Sequence, residues 1–269
     1  MTPRTALVAQ LSDPHVVARG ETVWGGFDTA AALSAAVETV LGLSRAPELV
    51  LVSGDLTNDG RPEAYDHLVE LLAPLDGRLK VIPGNHDERD ALVAAVPAGW
   101  LAGDGEVDGV VELAGGGLRL VCLDSSWPSK ADGTLLPAQL TWLDQVLAAS
   151  GATTIVALHH PPYEVGIAMM DAIPLATDAS SALADVVRRH AHVALVTGGH
   201  VHRLVVTRFG GAVAVLAPSV ANAVTLELTG AVDNTWTREP PGILLHDWHD
   251  GRGLVTHLRP VGDYPTAAF

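Results

Sequence analysis

Five short apolar runs in this chain each break, within a few residues, at a side chain that can ligate a hard or borderline metal ion. Residues 5–11 lead to Asp13-Pro14-His15, 49–52 to Gly54-Asp55, and 79–82 to Gly84-Asn85-His86-Asp87. Residues 154–158 lead to His159-His160-Pro161, and 193–197 to Gly199-His200-Val201-His202. Asn58 trails the second motif. Short apolar runs bounded by Gly, Pro and Asp read as buried strands. In open α/β sheets, ligands collect beyond the carboxyl ends of the strands. A fold that lays these strands side by side therefore delivers Asp, His, Asp, Asn, His, His and His to one edge.

Taken singly, these residues are ordinary. A strand-end Asp is most often a turn or cap residue, and a lone His most often satisfies a local hydrogen bond. Their common placement is what points to a shared site. Imidazole with carboxylate suits Zn, Fe, Mn or Co, and not Ca or Mg alone. His200 and His202 face the same way if their segment is extended, and can diverge to two ions if it is a loop. Two-metal sites mostly cleave phosphate esters.

Between the strands the apolar period becomes helical. Asp28 is placed to cap a helix over 29–44, with Leu33, Val37, Val40 and Leu41 on one face. Pro62 suits the first turn of a second helix, with Leu68, Leu71 and Leu72 facing in. This alternation predicts a mostly parallel sheet with helical crossovers. Further on, 109–113 and 118–124 flank Gly115-Gly116-Gly117 as a hairpin. Pro137 opens a helix that buries Leu140, Leu143, Val146 and Leu147, and 180–189 forms another. The runs 204–208, 212–216, 223–228, 243–246 and 254–258 predict a mainly antiparallel second half. Residues 230–242, with Pro240-Pro241, read as a loop. No repeat, low-complexity run or linker divides residues 1–269, so one domain of two packed sheets with helices outside is expected.

Composition weights the partners. Apolar residues are 48% of the 269, enough for a sizeable core. A net charge of −15 argues against a protein that coats nucleic acid, which needs a basic face. It does not oppose small phosphorylated substrates, because bound divalent cations reverse the local field. The single cysteine, Cys122, lies in an apolar run and reads as a buried reduced thiol, so no disulfide forms within the chain. The apolar stretch after Arg4 is cut by Asp13, too short for a signal peptide or a membrane span. A cytoplasmic protein without membrane contact is expected.

In order, residue type and flanking glycines, Asp13-x-His15, Gly54-Asp55-x-x-Asn58, Gly84-Asn85-His86-Asp87, His159 and Gly199-His200-x-His202 resemble the motifs of the calcineurin-like metallophosphoesterase superfamily. The resemblance implies an α/β fold: a four-layer α/β/β/α sandwich of two mixed β-sheets flanked by helices. It implies two divalent or mixed-valence metal ions (Mn, Fe, Zn or Co). Asp13, His15 and His202 would ligate one ion, Asn85, His159 and His200 the other, and Asp55 would bridge them. A hydroxide shared by both ions would be the nucleophile. Asn85, His86 and His202 would contact substrate. His86 would be the catalytic donor to a phosphate oxygen or the leaving alkoxide. Asn58 would contact substrate or orient His86, with His160 and Asp87 as supporting or structural residues.

The flanks are similar to bacterial class III cyclic nucleotide phosphodiesterases and related glycerophosphodiesterases. They include Gly54-Asp55-Leu56-Thr57-Asn58-Asp59-Gly60 with Tyr65, Leu123-Asp124-Ser125 with Gln139-Leu140 and Trp142-Leu143, and His159-His160-Pro161-Pro162 with Gly166-Ile167. Purple acid phosphatases place Tyr where Asn58 stands, and protein Ser/Thr phosphatases carry Asp-Arg-Gly where this chain has Asn58-Asp59-Gly60. The arginine pair of phosphomonoester recognition is not apparent, and Lys plus Arg total 16. A diester monoanion needs fewer cationic donors than a monoester dianion. The resemblance thus implies hydrolysis of small phosphodiesters, first 3′,5′-cyclic nucleotides (cyclic AMP to AMP). Alternatives are a glycerophosphodiesterase or broad-specificity phosphodiesterase and, from another class, a non-catalytic metal-binding scaffold. Segment 161–178, with Ile167, Met169 and Met170, is expected to line a substrate pocket, to contact a second copy in a homodimer, or to pack on the core. Trp24, Phe27 and Tyr163 flank the motifs and could stack on a nucleobase.

Overall fold

A computed structural model describes residues 3–232 and 234–268. Its strands are β1 (Thr5–Leu11), β2 (Leu49–Ser53), β3 (Leu79–Ile82), β4 (Gly109–Leu113), β5 (Leu118–Cys122), β6 (Thr153–Ala157) and β7 (Val193–Gly198). They continue with β8 (Val205–Phe209), β9 (Ala212–Leu216), β10 (Ala223–Val224), β11 (Trp236–Thr237), β12 (Gly242–His249) and β13 (Gly253–Pro260). The helices are α1 (Thr29–Leu41), α2 (Pro62–Leu72), α3 (Arg89–Ala95), α4 (Pro137–Ala148), the one-turn α5 (Ala168–Asp171) and α6 (Thr177–Arg189). One sheet has the order β13-β12-β1-β2-β3 and the other β4-β5-β6-β7-β9-β8, while β10 and β11 pair as a separate ribbon.

Local chemistry accounts for the helix ends. Asp28 caps α1 by accepting from the Ala31 N–H at 2.9 Å. The helix stops at Leu41, short of Ser44, with Gly42 at its C-cap, a residue that costs about 1 kcal/mol inside a helix. Pro62 and Pro137 open α2 and α4. The seven residues of α3 carry too little apolar period to stand out in the sequence.

Strand alternation sorts side chains between two cores. In β5, Leu118, Leu120 and Cys122 join the core of the first sheet, while Val121 joins the core under the outer helices. In β6, Ile155 and Ala157 take the first role and Val156 the second. Both faces are buried, which is why these strands read as unbroken apolar runs. Leu33 and Val37 of α1 and Leu68 and Leu72 of α2 cover the first sheet. Leu143 and Leu147 of α4 and Leu183 and Val187 of α6 cover the second. The architecture is the expected α/β/β/α sandwich of two mixed sheets. Burial pushes the Cys122 thiol up to about 12, so it stays protonated. No described helix is long and apolar enough to cross a membrane.

The second half departs from expectation in two places. The runs from 204 onward pair antiparallel as expected, β8 with β9, β10 with β11 and β12 with β13, but β9 also lies parallel to β7, which continues the parallel set β5, β6 and β7. Helices α4 and α6 supply the crossovers that parallel pairing requires. The expected strand 223–228 is only the two residues of β10, and its partner β11 lies inside the expected loop 230–242. Two-residue strands are too short to show an alternation.

A buried polar network pins the sheets together where the motifs begin. Gln10 of β1 donates to the Ser53 hydroxyl at 2.8 Å and to the Gly198 carbonyl at 3.1 Å. Its carbonyl accepts from the Thr197 hydroxyl at 2.7 Å and the His246 ring at 2.9 Å. Every member has partners, so the network specifies one alignment of the two sheets.

Candidate metal centre

The carboxyl ends of β1, β2, β3, β6 and β7 meet at one edge of the sandwich. Asp13, His15, Asp55 and His202 form one group of buried donors whose ligand atoms lie within 4.8 Å of one another, and His159, His160 and His200 form another. Asp55 touches both groups. Its Oδ2 lies 3.5 Å from His15 Nε2 and its Oδ1 lies 3.4 Å from His159 Nε2. His202 Nε2 lies 3.0 Å from His15 Nε2 and 3.5 Å from Asp13 Oδ1. On the other side, Asn85 Oδ1 lies 2.9 Å from His200 Nδ1.

These spacings fit metal ions, since bonds of roughly 2.1 Å at right angles separate neighbouring ligand atoms by about 3 Å. The imidazole partners fit too. His159 Nδ1 donates to the Ser53 carbonyl at 2.9 Å and His202 Nδ1 to the Asn222 carbonyl at 3.1 Å. Such carbonyls turn Nε2 toward the ion. His159 Nε2 is buried without a hydrogen-bond partner. Burial opposes charge on His159, but the Asp55 carboxylate outweighs it and holds the imidazole up at about 9. Burial likewise opposes charge on Asp55, yet His159, His86 and His15 hold it well below the usual carboxylate range. The site therefore favours a positive charge beside Asp55, as a cation site must. Burial, then the charge of His159, pulls His200 down to about 3. Burial also holds His15 well below the ordinary range. Both rings are thus neutral, the form that ligates.

Backbone conformation marks the same residues. Among the described residues, eight non-glycines have positive φ, and five of them are Asp13 (52°), His15 (46°), Asp55 (47°), His200 (71°) and His202 (56°). Such conformations are uncommon and persist where the surroundings over-determine them. The motif glycines make room. A Cβ on Gly84 would lie 2.2 Å from Asp55 Oδ1, and one on Gly54 2.1 Å from His159 Nδ1.

Asp87 braces the site from behind. It accepts from the N–H groups of Leu56 at 2.9 Å, Thr57 at 3.0 Å and Gly84 at 2.9 Å, and from the Tyr65 hydroxyl at 3.1 Å. It thereby ties the loop after β2 to the loop after β3. Burial, then the charge of Asp55, pushes it up to about 6.

His86 is exposed and packs edge-on against His15, with ring centroids 4.7 Å apart. Its Nδ1 donates to the backbone carbonyl of Asn58 at 2.8 Å. The expected orienting contact thus comes from the Asn58 main chain, while Asn58 Oδ1 is buried without a partner. His160 falls within the second group by distance, but its hydrogen bonds give it a different part. The Ser125 hydroxyl oxygen accepts the N–H groups of His159 and His160, both at 3.2 Å, and so donates its own proton to His160 Nδ1 at 2.9 Å. That commits His160 Nδ1 to Ser125, while its Nε2 is buried without a hydrogen-bond partner.

The structure separates the flanking residues. Trp24 lies against His15, with centroids 5.2 Å apart, whereas Tyr163 packs on Phe209 at 6.2 Å in the core beside α4 and α6. Within segment 161–178, Ile167 and Met170 are buried with Val201, Leu216 and Val224. The Ile173 carbonyl accepts from His200 Nε2 at 2.9 Å. Trp236 and Arg238, next to Trp24 and Phe27 in space, were missed because their segment reads as a loop. Ser125 carried only a flank signal.

The family model of the calcineurin-like phosphoesterases matches residues 6–204. The chain belongs to that family. A probable glycerophosphodiester phosphodiesterase from Arcobacter nitrofigilis is 31% identical to this calcineurin-like phosphoesterase over 260 residues, covering 96% of the chain and 94% of the relative. A 3′,5′-cyclic adenosine monophosphate phosphodiesterase from Pseudomonas aeruginosa is 30% identical over 275 residues, covering 100% and 97%. A dimetal phosphatase from Danio rerio superposes with a TM-score of 0.67 over 96% of the chain and 100% of its own, at 19% identity, a likeness of fold alone. The protein is a metal-dependent hydrolase of phosphate esters.

Proposed function

We propose that this calcineurin-like phosphoesterase is a binuclear phosphodiesterase of small diesters, with 3′,5′-cyclic nucleotides as first substrates. The observation that carries this reading is Asp55, whose two oxygens face two separate groups of donors. Asp13, His15, Asp55 and His202 would hold one ion, and Asp55, Asn85, His159 and His200 the other, with Mn, Fe, Zn and Co all suited to the donor set. Bound there, the ions supply Lewis-acid stabilisation of phosphoryl oxygens and a water of lowered pKa.

The chain's own residues do the rest. Asp55 sets the separation of the two sites through one carboxylate. The Ser53 and Asn222 carbonyls aim His159 and His202. His86, its Nδ1–H committed to the Asn58 carbonyl, would act as an imidazolium whose Nε2–H hydrogen-bonds a phosphoryl oxygen or passes to the leaving alkoxide, leaving the ring neutral. Asn85 is the other substrate contact in this reading, and Asn58 acts through His86. His202, expected beside Asn85, has Nδ1 on the Asn222 carbonyl and Nε2 toward the ion, and so would border the substrate only through its ligated ring.

Support for a diester over a monoester comes from the names of the relatives and from the scarcity of cationic side chains, 16 Lys and Arg in 269 residues. A second reading, glycerophosphodiester hydrolysis, is favoured by the relative at 31% identity. We treat residues 1–269 as one domain in a cytoplasmic setting, with 161–178 reaching the site through the Ile173 carbonyl. With Ile167 and Met170 turned into the core, that segment has less apolar surface for a homodimer contact than its sequence suggests.

The test is hydrolysis of bis(4-nitrophenyl) phosphate beside 4-nitrophenyl phosphate, with metal-stripped protein reconstituted with Mn²⁺. Strong diester preference supports the reading. Equal or faster monoester cleavage overturns it, and metal uptake without either activity favours a scaffold.

A further inference from the structure

On the His15 side of the site stands an aromatic wall that the metal chemistry does not use. Trp24 packs against His15 at 5.2 Å. Trp236 lies 5.9 Å from Trp24 and 5.8 Å from Phe27, and Phe27 lies 6.3 Å from Trp24. The guanidinium of Arg238 sits 5.6 Å over the Phe27 ring and 6.0 Å over the Trp236 ring. All three aromatic residues are half-buried and keep accessible surface.

Two distant pieces of chain hold this wall in place. Val23 and Phe27 close a tight loop through backbone hydrogen bonds of 3.0 and 2.7 Å, with Gly25 and Gly26 at positive φ. Trp24 itself sits at φ 46°, a conformation that bulky residues rarely adopt and that clusters at ligand clamps. From the other end of the sequence, β11 brings Trp236 opposite Val224 of β10. That ribbon is anchored to the site: His202 donates to the Asn222 carbonyl at 3.1 Å, and Arg203 donates to the Val224 carbonyl and, at 2.6 Å, to Glu239. Trp236 and Arg238 are thereby located relative to a candidate metal ligand.

Contiguous exposed apolar patches rimmed by polar groups mark ligand-binding grooves more often than isolated exposed residues do. This cluster is half-exposed, carries a cation, and abuts an imidazole of the donor group. An aliphatic alcohol has no π face to offer it, whereas a nucleobase does, and stacking accepts any base. We propose that Trp24, Trp236 and Arg238 form a subsite that selects diesters bearing a planar base over those bearing only an aliphatic alcohol. The inference rests on the phosphodiesterase reading above.

The test compares kcat/KM for 3′,5′-cyclic AMP with that for methyl riboside 3′,5′-cyclic phosphate, which has the same reacting ring and no base. It uses the Mn²⁺-reconstituted wild type, Trp236→Ala and Trp236→Phe. The wild type should prefer the nucleotide by about 5- to 150-fold, the range for one stacked base. Trp236→Ala should lose most of that ratio, and Trp236→Phe, which keeps a π face, should retain most of it. An unchanged ratio in Trp236→Ala, or no preference in the wild type, overturns the subsite. If bis(4-nitrophenyl) phosphate is cleaved and neither cyclic phosphate is, the subsite fails while the diesterase reading stands. If no diester is cleaved, the diesterase reading fails first.

Discussion

His159 Nε2 and Asp55 Oδ1 approach to 3.4 Å across the seam between the two sheets. Asp55 follows β2 of one sheet and His159 follows β6 of the other, so the contact exists only in the closed sandwich. The opposite oxygen of Asp55 faces His15 at 3.5 Å. Asp55→Ala should therefore reduce bound metal from two ions to at most one per chain. Diester kcat/KM should drop by at least about 100-fold, the upper range for residues that merely support a metal ligand. Elemental analysis after Mn²⁺ reconstitution reads the first and steady-state kinetics the second. Retention of two ions would remove Asp55 from the bridging position.

His86 stands beside the donor groups without belonging to them. His86→Ala should keep the metal content and lower turnover of an alkyl diester such as 3′,5′-cyclic AMP by about 10²–10⁴-fold. The loss should be smaller with bis(4-nitrophenyl) phosphate, whose leaving group is a stable anion and needs little protonation. Equal losses on both substrates would assign His86 to binding a phosphoryl oxygen and not to proton donation.

Asp87 satisfies three backbone N–H groups from two loops. Asp87→Ala leaves buried donors unmet, at about 1–3 kcal/mol each. We expect a loss of about 3 kcal/mol or more, read as a fall in Tm of about 6–12 °C for a chain of this size. Asp87→Asn, which can accept part of this set, should lie between. A Tm within 2 °C, roughly one kcal/mol or less, in the alanine variant would show that water replaces the carboxylate.

His246 ties stability to pH. It is 1% exposed, and burial pulls it down to about 4. Neutral, it donates to Gln10 and accepts from Thr256, both at 2.9 Å. In the unfolded chain it titrates near the ordinary value of about 6.5. The folded value is the lower one, so this contribution is complete above about 6.5 and is lost as pH falls toward 4, where only the unfolded chain takes up the proton. Between pH 7 and pH 5 the loss from this residue is about 2 kcal/mol. Denaturant unfolding at the two pH values should show that much more loss in wild type than in His246→Gln. Identical losses would mean that His246 is protonated in the folded state as well.

Much of the fold is legible in particular stretches. The five motif-bearing strands are visible because both of their faces are buried, so they appear as unbroken apolar runs. Asp28, Pro62 and Pro137 announce helix starts because capping and fixed φ are local chemistry. The side-by-side placement of β7 and β9 is not legible, because parallel and antiparallel strands carry similar residues and only the return of the chain through β8 makes β9 parallel to β7. Trp236 escaped notice because β11 is held by its partner β10 and by no pattern of its own. The part played by His160 depends on where the Ser125 hydroxyl points, which no spacing encodes.

By itself the sequence determined which donors this protein owns and that each follows a strand, because strand burial and turn chemistry act over a few neighbouring residues. Tertiary structure decided that Asp55 faces two donor groups, that the Asn58 main chain and not its side chain holds His86, and that Trp24 meets Trp236. Those relationships join segments separated by tens to hundreds of residues. They arise from the alignment of two sheets, pinned by Gln10, Thr197 and His246.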